Sequence, residues 1–333
     1  PHSKAGSILY STARLSVAEM SETFDKRMTE WKEQIDDCLR SIIDDSKYPE
    51  DFKDVMRYSM FPGGKRLRPI LFLEWHNLFA PPNRQALVFA CAIEIIHAFS
   101  LIHDDMPCMD NDDIRRGKPT VHKEFGEGKA LLAGDALLTL AFECLASSLD
   151  EKQYPLVFTM ARLVGSRGII NGQYLDLYAK CESVSDLVEI YRKKTGALIT
   201  LACASGYLFP QMSGALNIES EGLLCGIDNE YYDIEAQRGW HYVGERSSET
   251  EELVLGAAAF GSSFGIAFQL YDDLSEYLSC EQPDGASILD FASLDEAKIM
   301  LNGYLNEAAA ALDRNYHGDT SVLREFVEKF VIV

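Results

Sequence analysis

The chain has 333 residues, with 31 Lys and Arg against 52 Asp and Glu, a formal net charge of −21 and a hydrophobic content of 47%. This balance argues against a general nucleic-acid or anionic-membrane binder, because both need a basic surface, but it permits a small anionic substrate in a local basic pocket. With 17 Phe, 15 Tyr and 3 Trp the chain is not disordered, and its length suits one large domain or two smaller ones.

Residues 1–19 read as an N-terminal extension, partly tag-derived at Pro1-His2-Ser3, ahead of one domain over 20–333. From Met20 the series Phe24, Met28, Trp31, Ile35, Leu39 and Ile42 makes one apolar stripe, which predicts an amphipathic helix over 20–43. Stretches 85–106, 129–148, 155–179, 185–208, 252–278 and 293–313 show the same spacing or are apolar nearly all round. Helices of the second kind belong inside a bundle. No Asn-Gly hairpin or βαβ alternation is present, so the expectation is an all-α domain of eight or more long helices. Residues 209–250 mix Gly, acids and aromatics without a sustained period and read as a long surface excursion, in which Trp240, His241 and Tyr242 pack the loop or cap a cavity. Residues 279–292 read as a second polar connection.

No secretory signal and no uninterrupted run of about 18 apolar residues is visible, so no transmembrane segment is expected. Eight cysteines, at 38, 91, 108, 144, 181, 203, 225 and 280, are too scattered for a zinc or redox motif and too sparse for a disulfide scaffold. They predict a reducing, cytoplasmic setting.

The densest polar feature is HDDMPCMDNDDIRR, residues 103–116. Asp104 and Asp105 close an apolar helix, and Pro107 disfavours its continuation, so the chain can bend and return Asp110 toward the same place. Such carboxylates repel one another unless a hard cation sits among them, and Mg²⁺ suits oxygen ligands that also bridge to phosphates. A solvated acidic helix end is the plain alternative. A second group, Asp272, Asp273 and Glu276, closes another apolar helix, with Asp272 and Glu276 on one face at i,i+4. Together the two groups resemble jaws around metal ions. GGKRLRP, residues 63–69, places three cations within four residues of a flexible backbone, able to surround a phosphate, although an exposed basic turn is the alternative. His97 stands seven residues before Asp104 and can point into the same cavity, or be a satisfied core histidine.

GGKRLRP, IHAFSLIHDDMPCMDNDDIRRGKPTVH, LLAGDALL, GIINGQYLDL, KKTGALI and FQLYDD follow one another in an order that resembles the trans-isoprenyl diphosphate synthases, over roughly 20–208 and 252–278. That resemblance implies a single large helical bundle around a central cavity, paired as a homodimer. It implies an allylic diphosphate held by Mg²⁺, three ions with substrate bound, between Asp104, Asp105, Asp110 and Asp272, Asp273, Glu276. It implies that Lys65, Arg68, His97 and Arg116 bind isopentenyl diphosphate, that Arg115 and Lys194 contact the allylic diphosphate, and that Thr195 and Gln173 line the carbocation region. Asp104, Asp105, Asp110, Arg115, Lys194 and Asp272 would then serve ionisation, with Asp176 as a supporting acid. An aromatic five positions before the first Asp resembles the bacterial farnesyl pattern. Phe99 and Ser100, about 7.5 and 6 Å below Asp104, would set chain length, with C15 expected.

The chain departs from the family pattern in reading DDLSE at 272–276, in placing Lys194 78 residues before Asp272, and in having no lysine from Thr195 to Ala297. The expected activity is condensation of isopentenyl diphosphate with dimethylallyl or geranyl diphosphate to farnesyl diphosphate. A geranylgeranyl diphosphate synthase, or a catalytically weak regulatory homologue, is the alternative. A terpene synthase is disfavoured, since cyclisation has no use for the isopentenyl diphosphate set.

Overall fold

The computed structural model describes residues 17–149, 153, 155–212, 248–279, 286–316 and 318–332. Most of the 209–250 excursion, including Trp240, His241 and Tyr242, lies outside the described residues, as do Cys225 and Cys280. Among the described residues thirteen α-helices, a π-helical turn, a 3₁₀ turn at Ile288–Asp290 and one pair of two-residue strands account for the regular structure.

The helices are α1 (Val17–Asp45), α2 (Glu50–Met60), α3 (Leu67–Asn77), α4 (Arg84–Asp104), α5 (Val121–Phe125), α6 (Glu127–Ser148), α7 (Pro155–Val164), α8 (Ile169–Tyr178), α9 (Val184–Tyr191), α10 (Ala197–Met212), α11 (Ser248–Leu278), α12 (Leu294–Asn315) and α13 (Ser321–Glu328). The stripe of α1 is buried at Phe24, Ile35 and Leu39, with Met28, Trp31 and Ile42 packed beside them. Helices α4, α6 and α11 are apolar on nearly every face, and α4 lies against α6 while α11 lies between α10 and α12. By length and composition these three could cross a membrane, which an unbroken-run criterion misses. Here 67%, 50% and 61% of their most apolar windows are buried inside the protein.

Two expectations shift. The segment 155–179 breaks at Gly165–Gly168, where a side chain on Gly168 would run into the Leu163 carbonyl at 1.7 Å, so α7 and α8 meet at a corner. Residues 192–196 form a π-helical turn that joins α9 to α10 in one helical run. The short helices α2, α3, α5 and α13 are additions to the expected set.

Helices α3 and α4 pack together and are joined by residues 78–83, with Asn83 capping α4 through the Ala86 amide at 2.9 Å. The hairpin brings the start of α3, within GGKRLRP, level with Glu94 and His97, about two to three turns before the end of α4. Below them Phe72, Trp75, Phe89, Phe209 and Phe260 form an aromatic layer; Phe72 stacks on Phe89 with centroids 4.8 Å apart, and Trp75 meets Phe260 edge-on at 5.4 Å. Polar groups thus gather at one end of the bundle and aromatic rings fill the other.

Candidate active site

The first acidic motif folds back as its sequence predicts. The Asp110 amide donates to the Asp104 carbonyl at 2.9 Å and the Asn111 amide to the Met106 carbonyl at 3.1 Å, with Asn111 in the left-handed region at φ 57°. Asp104 and Asp110 lie close enough to repel electrostatically. Asp105 is different: it is 3% exposed and accepts a charged hydrogen bond from Arg115, which also reaches Asp112 at 2.9 Å.

The two arginines are presented by a hairpin. Ile114–Arg115 pairs antiparallel with Lys118–Pro119, and the intervening Arg116 (φ 52°) and Gly117 (φ 74°) both have positive φ, as a type I′ turn requires. Lys118 docks the hairpin on the end of α2, donating to the Tyr58 and Phe61 carbonyls while lying over the Tyr58 ring at 3.8 Å.

The basic loop divides its three cations. Lys65 is exposed and Arg68 is half-buried, whereas Arg66 is 2% exposed and donates to Asp36 at 2.8 Å and Glu94 at 2.6 Å. Arg66 is therefore not free to surround a phosphate as the loop's composition suggests. Arg68 Nη1 approaches His97 Nε2 at 3.4 Å, and Arg68 Nε, though buried, has no partner. A guanidinium N–H left unpaired in a protein interior is costly unless a ligand takes it. Burial, reinforced by Arg68, Arg116, Arg66 and Arg115, drives His97 well below its usual pKa, so it is neutral.

The second motif faces these cations. Burial, Glu276 and Asp273 raise Asp272 to about 7 against the opposing pull of Lys65 and Arg68. Asp273 faces inward: its carboxylate accepts from the Tyr191 hydroxyl, the Ser287 hydroxyl at 3.1 Å, the Ile288 amide at 2.8 Å and Gln269 at 3.4 Å. In both pairs, then, the second Asp is held by donors of the protein. Asp104 rises to about 7 and Asp105 to about 6, with burial the first cause of each.

Lys194 projects from the π-helical turn and bonds Asp176 at 2.6 Å; burial opposes its charge, but Asp176, Asp104 and Asp110 raise its pKa. The adjoining Thr195 donates to Gln269 at 3.0 Å. A Cβ at Gly172 would lie 2.3 Å from the Lys194 amide nitrogen, so α8 seats directly against this turn. Gln173 beside it is 6% exposed and neither atom of its amide has a partner. Phe99 is buried, with its ring edge-on to His103, and Ser100 bonds the His97 carbonyl at 2.9 Å.

The polyprenyl synthetase family profile matches residues 49–226, more than half of the chain. The chain belongs to the polyprenyl synthetase family. Farnesyl diphosphate synthase of Geobacillus stearothermophilus is 34% identical to it over 268 residues, 78% of either chain. The chloroplastic geranylgeranyl pyrophosphate synthase of Capsicum annuum is 38% identical over 242 residues, 66% of this chain and 64% of that one. The apo crystal structure of an FPP/GFPP synthase from Zymomonas mobilis, 29% identical, superposes with a TM-score of 0.73 over 93% of this chain and all of its own. This polyprenyl synthetase is a short-chain trans-prenyltransferase with an all-α fold, and its relatives carry both farnesyl and geranylgeranyl names.

The matched span holds the basic loop, the first motif, Gln173, Lys194 and Thr195, and ends before Asp272. Three polar groups of this polyprenyl synthetase were not singled out by sequence reasoning: Tyr191, Gln269 and Ser287, which link the π turn to the second motif through Asp273. Gln269 stands within the quoted FQLYDD, at i−4 from Asp273, and that spacing is the signal that could have found it.

Among the described residues no three His, Cys, Asp or Glu side chains converge closely enough to hold a metal by themselves. The donor set nonetheless suits Mg²⁺, which keeps several waters, takes one or two carboxylates and completes its shell with substrate phosphates. Asp104 and Asp272 are oxygen donors whose raised pKa values reflect burial without enough positive charge.

Proposed function

We propose that this chain condenses isopentenyl diphosphate with dimethylallyl or geranyl diphosphate and releases farnesyl diphosphate. The observation that carries the reading is the meeting, at one end of the bundle, of two only partly compensated carboxylates, Asp104 and Asp272, with Lys65, Arg68, neutral His97, Arg115, Arg116 and Lys194.

In this reading Asp104, Asp110, Asp272 and Glu276 hold Mg²⁺, three ions when substrate is bound, while Asp105 and Asp273 keep the pairs in place. Bound Mg²⁺ supplies positive charge to the diphosphate as its C–O bond breaks. Arg115 and Lys194 stabilise the same growing charge from the protein side, preorganised by Asp105 and Asp176. Lys65, Arg68, His97 and Arg116 orient isopentenyl diphosphate, whose double bond attacks the allylic cation before a proton is lost. Arg68 Nε gives its unpaired N–H to a diphosphate oxygen, and His97 gives a neutral hydrogen bond. The unpartnered Gln173 amide and the Thr195 hydroxyl face the cation, and apolar helix walls keep water from quenching it.

Phe99, about 7.5 Å below Asp104 along α4, is the floor that selects C15. A homodimer is supported by α6, an apolar helix with Leu131 and Leu132 48% and 58% exposed. The free thiols of the described cysteines fit a cytoplasmic setting. Incubation with Mg²⁺, labelled isopentenyl diphosphate and each allylic primer should give a C15 product. Absence of condensation with every primer, where a control synthase works, would overturn the reading in favour of a regulatory homologue.

A further inference from the structure

Arg66 is enclosed and cannot touch substrate, yet it stands between the two cations of the basic loop assigned to isopentenyl diphosphate. Its side chain is 1% exposed, and its guanidinium joins three parts of the fold: Asp36 on α1, Glu94 on α4 and the Met60 carbonyl at the end of α2, the last at 2.8 Å. Its backbone lies in the left-handed region at φ 54°, a conformation a side-chain-bearing residue keeps only when its surroundings impose it. The loop is shaped around it. A Cβ on Gly63 would come within 2.0 Å of the Arg66 guanidinium carbon, and one on Gly64 would meet Arg116 at 3.0 Å, so each glycine lets an arginine lie against the loop.

The partners also carry geometric information. Glu94 and His97 are three residues apart on α4 and share a face, while Arg66 and Arg68 flank the first residue of α3. Arg66 to Glu94 and Arg68 to His97 therefore form two adjacent rungs between the same helices, the first closed to ligand and the second open to it.

We propose that Arg66 is the positioning residue of the isopentenyl diphosphate half-site: clamped by Asp36 and Glu94, it fixes the backbone from Gly63 to Arg68 and thereby sets where Lys65 and Arg68 present their charges. The inference rests on the reading of Lys65 and Arg68 as isopentenyl diphosphate ligands. Asp36 and Glu94 belong to the same device, although neither reaches the substrate.

The test is calorimetric binding of isopentenyl diphosphate, alongside KM for both substrates, in Glu94→Gln, Asp36→Asn and Arg66→Lys. Each variant is expected to weaken isopentenyl diphosphate binding and raise its KM about tenfold, with the allylic KM changed less than about twofold. Arg66→Met combined with Asp36→Asn and Glu94→Gln removes the unpaired buried charges that a single loss would leave. This triple variant should melt cooperatively and still bind isopentenyl diphosphate weakly. If any single variant fails to fold, it carries the test in its place. Folded variants that bind isopentenyl diphosphate like the parent, or that lose both substrates in proportion to their folded fraction, overturn the proposal. A parent chain that binds no isopentenyl diphosphate instead overturns the ligand assignment of Lys65 and Arg68.

Discussion

The hydroxyl of Tyr191, the last residue of α9, donates to the carboxylate of Asp273 on α11, across 82 residues of sequence. The bond ties the turn that carries Lys194 to the helix that carries Asp272. Tyr191→Phe leaves the ring in place and removes one of four donors to a buried carboxylate. It should destabilise the fold by about 1–3 kcal/mol and raise the Mg²⁺ concentration needed for half-maximal rate. An unchanged melting temperature and an unchanged Mg²⁺ requirement would show that Ser287, Ile288 and Gln269 hold Asp273 unaided.

The two members of each Asp pair should respond in opposite ways to amidation. Asp104→Asn and Asp272→Asn remove a carboxylate that burial disfavours, so the metal-free protein should melt no lower than the parent while kcat falls by about 10²–10³. Asp273→Asn keeps one oxygen for Tyr191, Ser287 and Ile288 but removes the charge they stabilise and turns an amide NH₂ toward the donating amide of Gln269, and should lower the melting temperature. Thermal unfolding of the three variants side by side separates the roles. A stable Asp273→Asn protein would contradict the division.

Stability should also depend on pH with an unusual sign. Asp104 and Asp272 titrate near 7 and Asp105 near 6, all above the usual carboxylate value, so the folded chain binds more protons than the unfolded one between about pH 4 and 7. The contribution of these groups is present below pH 4 and is lost as pH rises through 6 and 7. Added Mg²⁺ should reverse the trend, because it binds the deprotonated form. Melting curves at pH 5, 6, 7 and 8, with and without Mg²⁺, test this. The expectation fails if Mg²⁺ stabilises the chain equally at pH 5 and pH 8.

Product length is testable at one position. Phe99→Ala should shift the product beyond C15, because it removes the buried ring about 7.5 Å below Asp104 along α4 that the reading makes the floor. Chromatography of the dephosphorylated products reads the result. An unchanged distribution places the floor elsewhere.

The long helices were legible because their apolar spacing is a property of the chain alone, and α1, α4, α6, α11 and α12 fall within a few residues of their predicted spans except at the start of α1 and α11. The short ones were not. Helix α3 is buried along most of its length, so LRPILFLEWHN shows no amphipathic period, and the Arg116-Gly117 turn hides inside a motif read for its charges. The same limit applied to the site. Sequence located the carboxylates and cations, but a count of charges could not tell Arg66 from Arg68, or Asp273 from Asp272. Their division depends on partners 28 to 82 residues away, Glu94 for Arg66 and Tyr191 for Asp273, which only the packed helices bring together.

The π-helical turn at Arg192–Gly196 is one residue wider than an α-helical turn. Removing one residue there would restore an ordinary helix and turn all of α10 by about 100° relative to α9. Every inward side chain of α10 would then point elsewhere, and the close crossing of Gly196 with Gly265, where an added Cβ would stand 2.6 Å from the opposite Cα, would be lost. The turn works as a phase shifter: α9 can aim Tyr191 at Asp273 while α10 buries a different face, a pair of orientations that one uninterrupted α-helix could not provide.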